Sequence, residues 1–77
     1  MAFENKNLSV IAFANGFTLW HYVNHKESLK DICADGFFDR VYTLMNTGDM
    51  IMINGQDTSG IRRIILDNSK VSLKSLD

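Results

Sequence analysis

Apolar and polar residues recur at short, strand-like spacing over the first third of the chain. Leu8–Ala14 has apolar residues at both alternate sets of positions, and Phe17–Val23 is dense in aromatic and β-branched residues. Both patterns are typical of β-strands. Asn15 and Gly16 lie between them and favour a type I′ turn, in which both central residues have positive φ. The pattern therefore predicts a β-hairpin over Leu8–Val23.

The apolar spacing changes to a helical one in the middle of the chain. Ser28–Asp31 has the form of a capping box, with Asp in place of the usual Glu, and predicts the start of a short helix. Gly36 is placed to end that helix. Phe37–Met45 has a wide apolar stripe at helical spacing, which predicts a second helix that ends before Gly48.

Three further strands are predicted in the last third of the chain. Met50–Ile53 is an unbroken apolar run, too short for an ordinary helix and typical of a strand covered on both faces. Ile61–Leu66 and Val71–Leu73 follow, each preceded by a polar turn. The element order predicts an α+β fold: a small, mainly antiparallel sheet or barrel of about five strands, with one or two short helices in the middle.

The length of the chain limits how much core it can build. Its 77 residues are expected to form one domain, with residues 1–7 as a flexible arm and residues 8–73 as the folded body. A domain of this size buries only about 60% of the surface that its unfolded chain exposes. Cys33 is the single cysteine, so no internal disulfide compensates. Since 45% of the residues are hydrophobic, we expect apolar surface to be hidden against other subunits.

Charge and hydropathy argue against several classes of partner. Eight Lys and Arg residues are interspersed with nine Asp and Glu residues, and no basic stripe indicates a dedicated nucleic-acid surface. The longest uncharged stretch, Asn7–Val23, contains too many polar residues to span a bilayer. The first residues do not have the pattern of a secretory signal. These features predict synthesis in a reducing cytosol and no membrane partner.

Candidate metal and nucleophile residues have weak support from the sequence. His21 and His25 have the four-residue spacing of a helical zinc pair, but they fall in a predicted strand and the turn after it. A metal site needs three or four converging ligands, so none is expected. Cys33 could pair with either histidine as nucleophile and base, yet it fits better as a half-buried small hydrophobe.

Candidate acid–base and phosphate sites are equally weak. Asp31 and Asp35 are one turn apart, but acids at such positions commonly cap helices. The loop Gly55–Gly60 contains two glycines without a lysine and does not open a helix, so it does not predict a phosphate cradle. We therefore expect no catalytic residue, no cofactor and no enzymatic activity.

The aromatic strand 17–23 leaves two functional interpretations open. Its rings could stack on bases, which would make the protein a small regulatory or single-stranded nucleic-acid-binding barrel. Rings in a core or a subunit contact explain the same residues without a basic groove. Because strands 8–23 and 50–53 are apolar on both faces, self-association is favoured. Phe38, Val41 and Ile51 are expected in the core of one chain. The residues expected in subunit or partner contacts are Trp20, Tyr22, Met50, Met52 and Ile65.

Three segments resemble a group of very short tailed-bacteriophage and prophage virion proteins. They are Asn15–Tyr22 (NGFTLWHY), Ala34–Asp39 (ADGFFD) and Leu44–Ile51 (LMNTGDMI). The similarity in pattern and order covers about residues 8–73. One departure is Asp39–Tyr42, which stands where the group usually begins its helix with a longer alanine-rich stretch.

The resemblance implies a virion structural component, made in the host cytoplasm and present in many copies. Its implied form is a homotrimer that decorates the capsid or seats a fibre or spike, with the major capsid protein or a fibre as its further partner. The group contributes no catalytic residue, metal ligand or cofactor to carry over. Capsid sites on local threefold axes suit a trimer by symmetry, which is an analogy with the group.

Overall fold

The structure is a computed structural model that describes residues 3–75. Within these residues the chain forms five strands, one short α-helix and two 3-10 helices, the latter at Asn5–Asn7 and Asp39–Leu44. The strands and the α-helix are β1 (Leu8–Ala14), β2 (Phe17–Val23), α1 (Leu29–Ile32), β3 (Met50–Asn54), β4 (Ser59–Asp67) and β5 (Lys70–Ser75). Met1, Ala2, Leu76 and Asp77 lie outside the described residues.

All five strands belong to one sheet in the order β1-β2-β3-β4-β5. Three of the four pairings are antiparallel, and β2 pairs with β3 in parallel. A parallel pair needs a crossover connection, and here the helical segments between Val23 and Met50 supply it. The predicted α+β fold with a mainly antiparallel sheet and short central helices is confirmed. The sheet is open, with β1 and β5 at its edges, so the barrel alternative does not apply.

The predicted hairpin over Leu8–Val23 is present, but its turn is of another type. Gly16 has a φ of 75°, whereas Asn15 does not have a positive φ. The type I′ signature occurs instead at Asn68 and Ser69, whose φ angles are 51° and 72° and which connect β4 to β5. An asparagine–glycine pair is compatible with more than one type of tight turn. In this turn only the glycine adopts the left-handed conformation.

The two predicted helices are shorter and more irregular than the apolar spacing suggests. Ser28 caps α1 as expected, since its Oγ accepts a hydrogen bond from the Asp31 backbone N–H at 3.1 Å. The helix nevertheless ends at Ile32, before Gly36. In place of the second helix there is the 3-10 helix Asp39–Leu44, with a kink at Val41. Its Val-Tyr-Thr sequence has low helix propensity, which favours short 3-10 turns.

The core lies between one face of the sheet and the helical crossover. The sheet contributes alternate side chains of its central strands, and the crossover contributes Ile32, Phe38, Val41 and Met45. The expected core positions Phe38, Val41 and Ile51 are confirmed as buried. The sheet side chains in this core are Trp20, Tyr22, Ile51, Ile53, Ile64 and Val71.

The segment before β1 departs from the flexible arm expected over residues 1–7. Phe3 is buried and stacks on the Tyr22 ring, with ring centroids 5.4 Å apart and planes 15° from parallel. The Glu4 backbone N–H donates a hydrogen bond to the Tyr22 hydroxyl at 3.1 Å. Phe3 also makes edge contacts with Phe37 and Phe38. Phe3 therefore anchors the described residues 3–7 to the core, while residues 1–2 of the expected arm lie outside the described residues.

Candidate functional site

The side of the sheet that faces away from the crossover is here called the open face. Side chains alternate between the two faces of a strand, so the open face carries the residues that do not point into the core. On β2 these open-face residues are half-buried, while Trp20 and Tyr22 between them are buried. The strand register aligns Leu19 with Met50 and His21 with Met52. The apolar members of this face are Phe17, Leu19, Val23, Met50, Met52, Ile61 and Ile65.

Apolar residues occupy the middle of the open face and polar residues occupy its border. Met52 and its partner Ile61 lie on adjacent strands and remain 38% and 41% exposed. Arg63 and Lys74 face each other across β4 and β5 at one side. Asn54 and Ser59 pair at the end of β3. An apolar centre with methionine, surrounded by polar and cationic residues, has the composition of a protein–protein interface.

The area of the open face is close to that of one side of a protein interface. A strand of seven residues such as β2 is roughly 23 Å long, and five strands are roughly 24 Å wide, giving roughly 550 Å². Two such faces in contact would remove roughly 1,100 Å² from water, above the about 1,000 Å² expected of a biological interface. The face is therefore large enough for a stable contact.

Polar side chains from three strands form a hydrogen-bonded row on this face. The Asn54 side-chain amide nitrogen lies 2.8 Å from Nε2 of His21. The Ser59 hydroxyl donates to the amide oxygen of Asn54. In this orientation the Asn54 amide nitrogen donates and Nε2 of His21 accepts. This row links β2, β3 and β4 beside Met52.

The structure separates the five residues expected in subunit or partner contacts. Met50, Met52 and Ile65 lie on the open face. Trp20 and Tyr22 do not: they are 7% and 0% exposed within a single chain, so they have no surface to offer a partner. The alternation in β2 places them on the core side, where the Trp20 indole finds a hydrogen-bond acceptor and the Tyr22 ring joins the phenylalanine cluster.

The burial of Trp20 and Tyr22 also concerns the alternative hypothesis that strand 17–23 binds single-stranded nucleic acid. Bases stack on exposed rings, but Trp20 and Tyr22 are enclosed by the chain itself. Phe17 is the one aromatic residue of this strand on the open face. Base stacking on this strand would therefore fall to Phe17, and the nucleic-acid alternative stays a prediction.

Asp49 is a buried acidic residue whose structural role is not predicted from the sequence. It is 1% exposed, and its carboxylate accepts hydrogen bonds from three N–H groups. The Thr18 backbone donates to Oδ1 at 3.1 Å, and the Trp20 indole and the Asn46 backbone donate to Oδ2 at 3.2 and 3.1 Å. Two features of the sequence could have identified Asp49. It is an acid immediately before a buried strand, and a tryptophan elsewhere in the chain needs a hydrogen-bond acceptor.

The loop after β3 has a structural contact rather than a ligand-binding shape. The Asp57 carboxylate accepts a hydrogen bond from the Leu29 backbone N–H at 2.9 Å, at the start of α1. This bond is the main reason that the pKa of Asp57 is lowered. Gly55 lies against the same turn, and a Cβ added there would come within 2.7 Å of the Leu29 nitrogen. The loop thus holds α1 against the sheet.

The remaining candidate residues are dispersed. His21 lies on the open face, while His25 is exposed in the turn after β2. Cys33 is half-buried at the end of α1, and its pKa is raised by burial, with Arg62 partly opposing that effect. Asp31 and Asp35 are exposed. Among residues 3–75 no group of three or more His, Cys, Asp and Glu side chains is arranged to hold a metal ion.

β1 carries a second exposed apolar surface. Its register against β2 shifts between Val10 and Ala12, which leaves Ile11 in a bulge. Val10 and Ile11 are about half exposed, and Phe13 is 78% exposed. The sequence predicts a strand covered on both faces here, but the crossover layer does not extend over this edge. β1 is apolar and largely uncovered in the single chain.

Comparison of the chain with protein-family models, curated proteins and solved structures finds no match. Within residues 3–75, no helix has the length and apolar character needed to cross a membrane.

Proposed function

We propose that this chain is a non-enzymatic bacteriophage virion structural protein that self-associates through the open face. Its proposed form is a homotrimeric capsid decoration or cement protein, or an adaptor that seats a fibre or spike. The observation that supports self-association is the apolar centre of the open face, around Met52 and Ile61. The similarity of three sequence segments to short phage proteins supports the virion setting.

A second copy of the chain is the proposed occupant of the open face for reasons of charge and size. The centre of the face carries no charge, so two copies can approach without burying an unpaired ion. Lys74 lies on the edge strand β5, and Arg63 lies between Ile61 and Ile65 on β4, where its long side chain can carry the guanidinium group to the rim of a contact. Two such faces in full contact would bury just over the about 1,000 Å² expected of a biological interface. A 77-residue chain also gains much from covering such a face, since its own core is small.

Three copies are proposed rather than two because the resemblance to short phage proteins implies a homotrimer. A threefold ring is closed by heterologous contacts, in which one part of the face meets another part on the neighbour. The open face offers two unlike parts: Leu19 and Met50 next to the cationic side, and Val23 next to Asn54 and Ser59. Within the virion, the major capsid protein or a fibre is the proposed further partner.

Substitutions on the two exposed apolar surfaces test which one drives self-association. Met52→Lys places a charge at the centre of the open face, where burial in a contact is costly. We expect this variant to sediment as a monomer at micromolar concentration while the wild type sediments as an oligomer. Phe13→Lys, on the exposed edge strand, is the matched control and should leave the sedimentation coefficient unchanged. If Phe13→Lys dissociates the oligomer and Met52→Lys does not, the open face is the wrong surface.

The virion assignment has a separate test. Purified phage particles from a host that carries the gene should contain this protein at a copy number comparable to that of other capsid or fibre components. Quantitative mass spectrometry of density-purified particles measures this number. Absence of the protein from particles whose capsid proteins are readily detected would contradict the virion role and leave the self-association proposal standing.

A further inference from the structure

His21 is the one titratable side chain in the apolar centre of the open face. Along β2 its neighbours on that face are Leu19 and Val23, and across the sheet it faces Ser9 on β1 and Met52 on β3. Its side chain is hydrogen-bonded to the amide of Asn54, with Nε2 of the ring 2.8 Å from the amide nitrogen. With the amide nitrogen facing the ring, that contact fits the neutral form, because a protonated Nε2 would direct its hydrogen at the Asn54 amide hydrogens.

The charged groups around His21 do not stabilise a positive charge on its ring. β1, β2 and β3 carry no Asp, Glu, Lys or Arg, and the only other titratable group on them, Tyr22, is on the core side. The nearest charged positions of the open face on β4 and β5 are cationic, at Arg63 and Lys74. Further charged or titratable groups lie at the ends of these strands or in the turn after β2: His25, Lys26, Glu27, Asp67 and Lys70.

We infer that protonation of His21 dissociates the assembly formed by the open face. This inference rests on the proposed self-association. In a free chain, water can solvate the imidazolium and the Asn54 amide can rotate, with the Ser59 hydroxyl turning to accept. In the assembled state the ring lies among apolar side chains of its own strand and of the neighbour, where an unpaired charge is costly.

The direction of the pH effect follows from proton linkage. The assembled state keeps His21 neutral and so binds fewer protons than the free chain. As pH falls, the state that binds fewer protons, here the assembled one, becomes less stable relative to the free chain. The dissociation constant therefore rises by up to about tenfold per pH unit for each histidine buried. Histidine is the side chain that ordinarily changes charge between about pH 8 and pH 5.

The test is the mass of the full chain by light scattering at fixed micromolar concentration, in buffers from about pH 8 to about pH 5. The wild type should be oligomeric at the upper end and monomeric at the lower end. His21→Gln retains an acceptor for the Asn54 amide but does not titrate, so it should remain oligomeric throughout. His21→Leu, with an apolar side chain, should behave in the same way. His25→Gln is the matched control and should dissociate like the wild type.

Fluorescence of the buried Trp20 verifies that each variant is folded at each pH. A wild type that stays oligomeric at about pH 5 would overturn the switch and leave the proposed function intact. A wild type that is monomeric at about pH 8 would overturn both. Dissociation of His21→Gln or His21→Leu in parallel with the wild type, or at every pH, would show that His21 protonation is not the cause. Loss of the pH response in His25→Gln would contradict the assignment to His21.

Discussion

Asp49 joins three segments of the chain through its buried carboxylate and its backbone carbonyl. Its oxygens accept from β2 at Thr18 and Trp20 and from the crossover at Asn46. Its backbone carbonyl accepts from the Ile64 N–H of β4 at 2.8 Å. A buried acceptor with three donors fixes the position of β2 against the end of the crossover, because any other arrangement would leave N–H groups without partners.

Asp49→Asn should destabilise the fold by about 2–4 kcal/mol, since the amide nitrogen cannot accept and leaves at least one N–H group facing another donor. Urea denaturation followed by the fluorescence of Trp20 measures the free energy of unfolding. Asp35→Asn, which changes an exposed acid, is the control and should unfold close to the wild type. Equal midpoints for the two variants would mean that the carboxylate is not needed.

At the residue scale, sequence reasoning recognised which positions are apolar but not which face of the sheet each one occupies. Both alternate sets of Phe17–Val23 are largely apolar, so the period of two does not distinguish core from open face. The Trp20 indole goes to the core side because Asp49 is there to accept its hydrogen. Met50 and Met52 go to the other side through the register with β2. These choices depend on contacts between residues far apart in the sequence.

At the element scale, the loop after β3 and the start of α1 behave as one unit. Gly55 lies so close to the helix that a Cβ would come within 2.7 Å of the Leu29 nitrogen, and the Gln56 N–H donates to the Glu27 carbonyl at 2.7 Å. Both contacts involve backbone atoms, which cannot rotate away. The four-residue helix thus depends on the loop for its position.

Gly55→Ala is expected to lower the free energy of unfolding by about 1–3 kcal/mol, because the new methyl group overlaps backbone. Gly60→Ala is a matched control: its Cβ would come within 2.7 Å of Arg62, but at the mobile end of that side chain. We therefore expect a smaller loss for Gly60→Ala. Thermal unfolding followed by circular dichroism compares the two, and a larger loss at Gly60 would contradict the close packing of the loop on α1.

The hydrogen bond from the Leu29 N–H to Asp57 makes this unit sensitive to acid. Because the pKa of Asp57 is lowered in the folded chain, ionised Asp57 stabilises the fold above the ordinary pKa of an aspartate. That contribution is lost as the pH falls through the lowered pKa. The melting temperature of wild type should exceed that of Asp57→Asn at about pH 6, and the difference should shrink towards about pH 2. A difference that does not change with pH would rule out the contribution.

Element prediction from the sequence succeeded where the local pattern is strong. The hairpin and the three later strands form at the expected places, and Ser28 caps α1. The second helix failed because its apolar spacing is helical while its Val41, Tyr42 and Thr43 residues favour other conformations. The type I′ turn was assigned to Asn15 and Gly16 but occurs at Asn68 and Ser69, where the φ angles require it.

At the scale of the whole molecule, the one-sided crossover determines what remains open. The connection between β2 and β3 packs on one face of the sheet, and no described element covers the other. The sequence predicted an apolar excess in strands 17–23 and 50–53, and the structure divides that excess between the core and the open face. The parallel pairing of β2 with β3 was not predicted, because strand order is set by packing of the crossover rather than by strand composition.

We propose that the open face is covered by further copies of the chain. The most direct test is the mass of the purified wild-type protein by light scattering, measured over a series of micromolar concentrations at neutral pH. We predict a mass about three times the 8.7 kDa of one chain, as expected for a closed threefold ring. A mass of 8.7 kDa that does not change across the series would contradict the account.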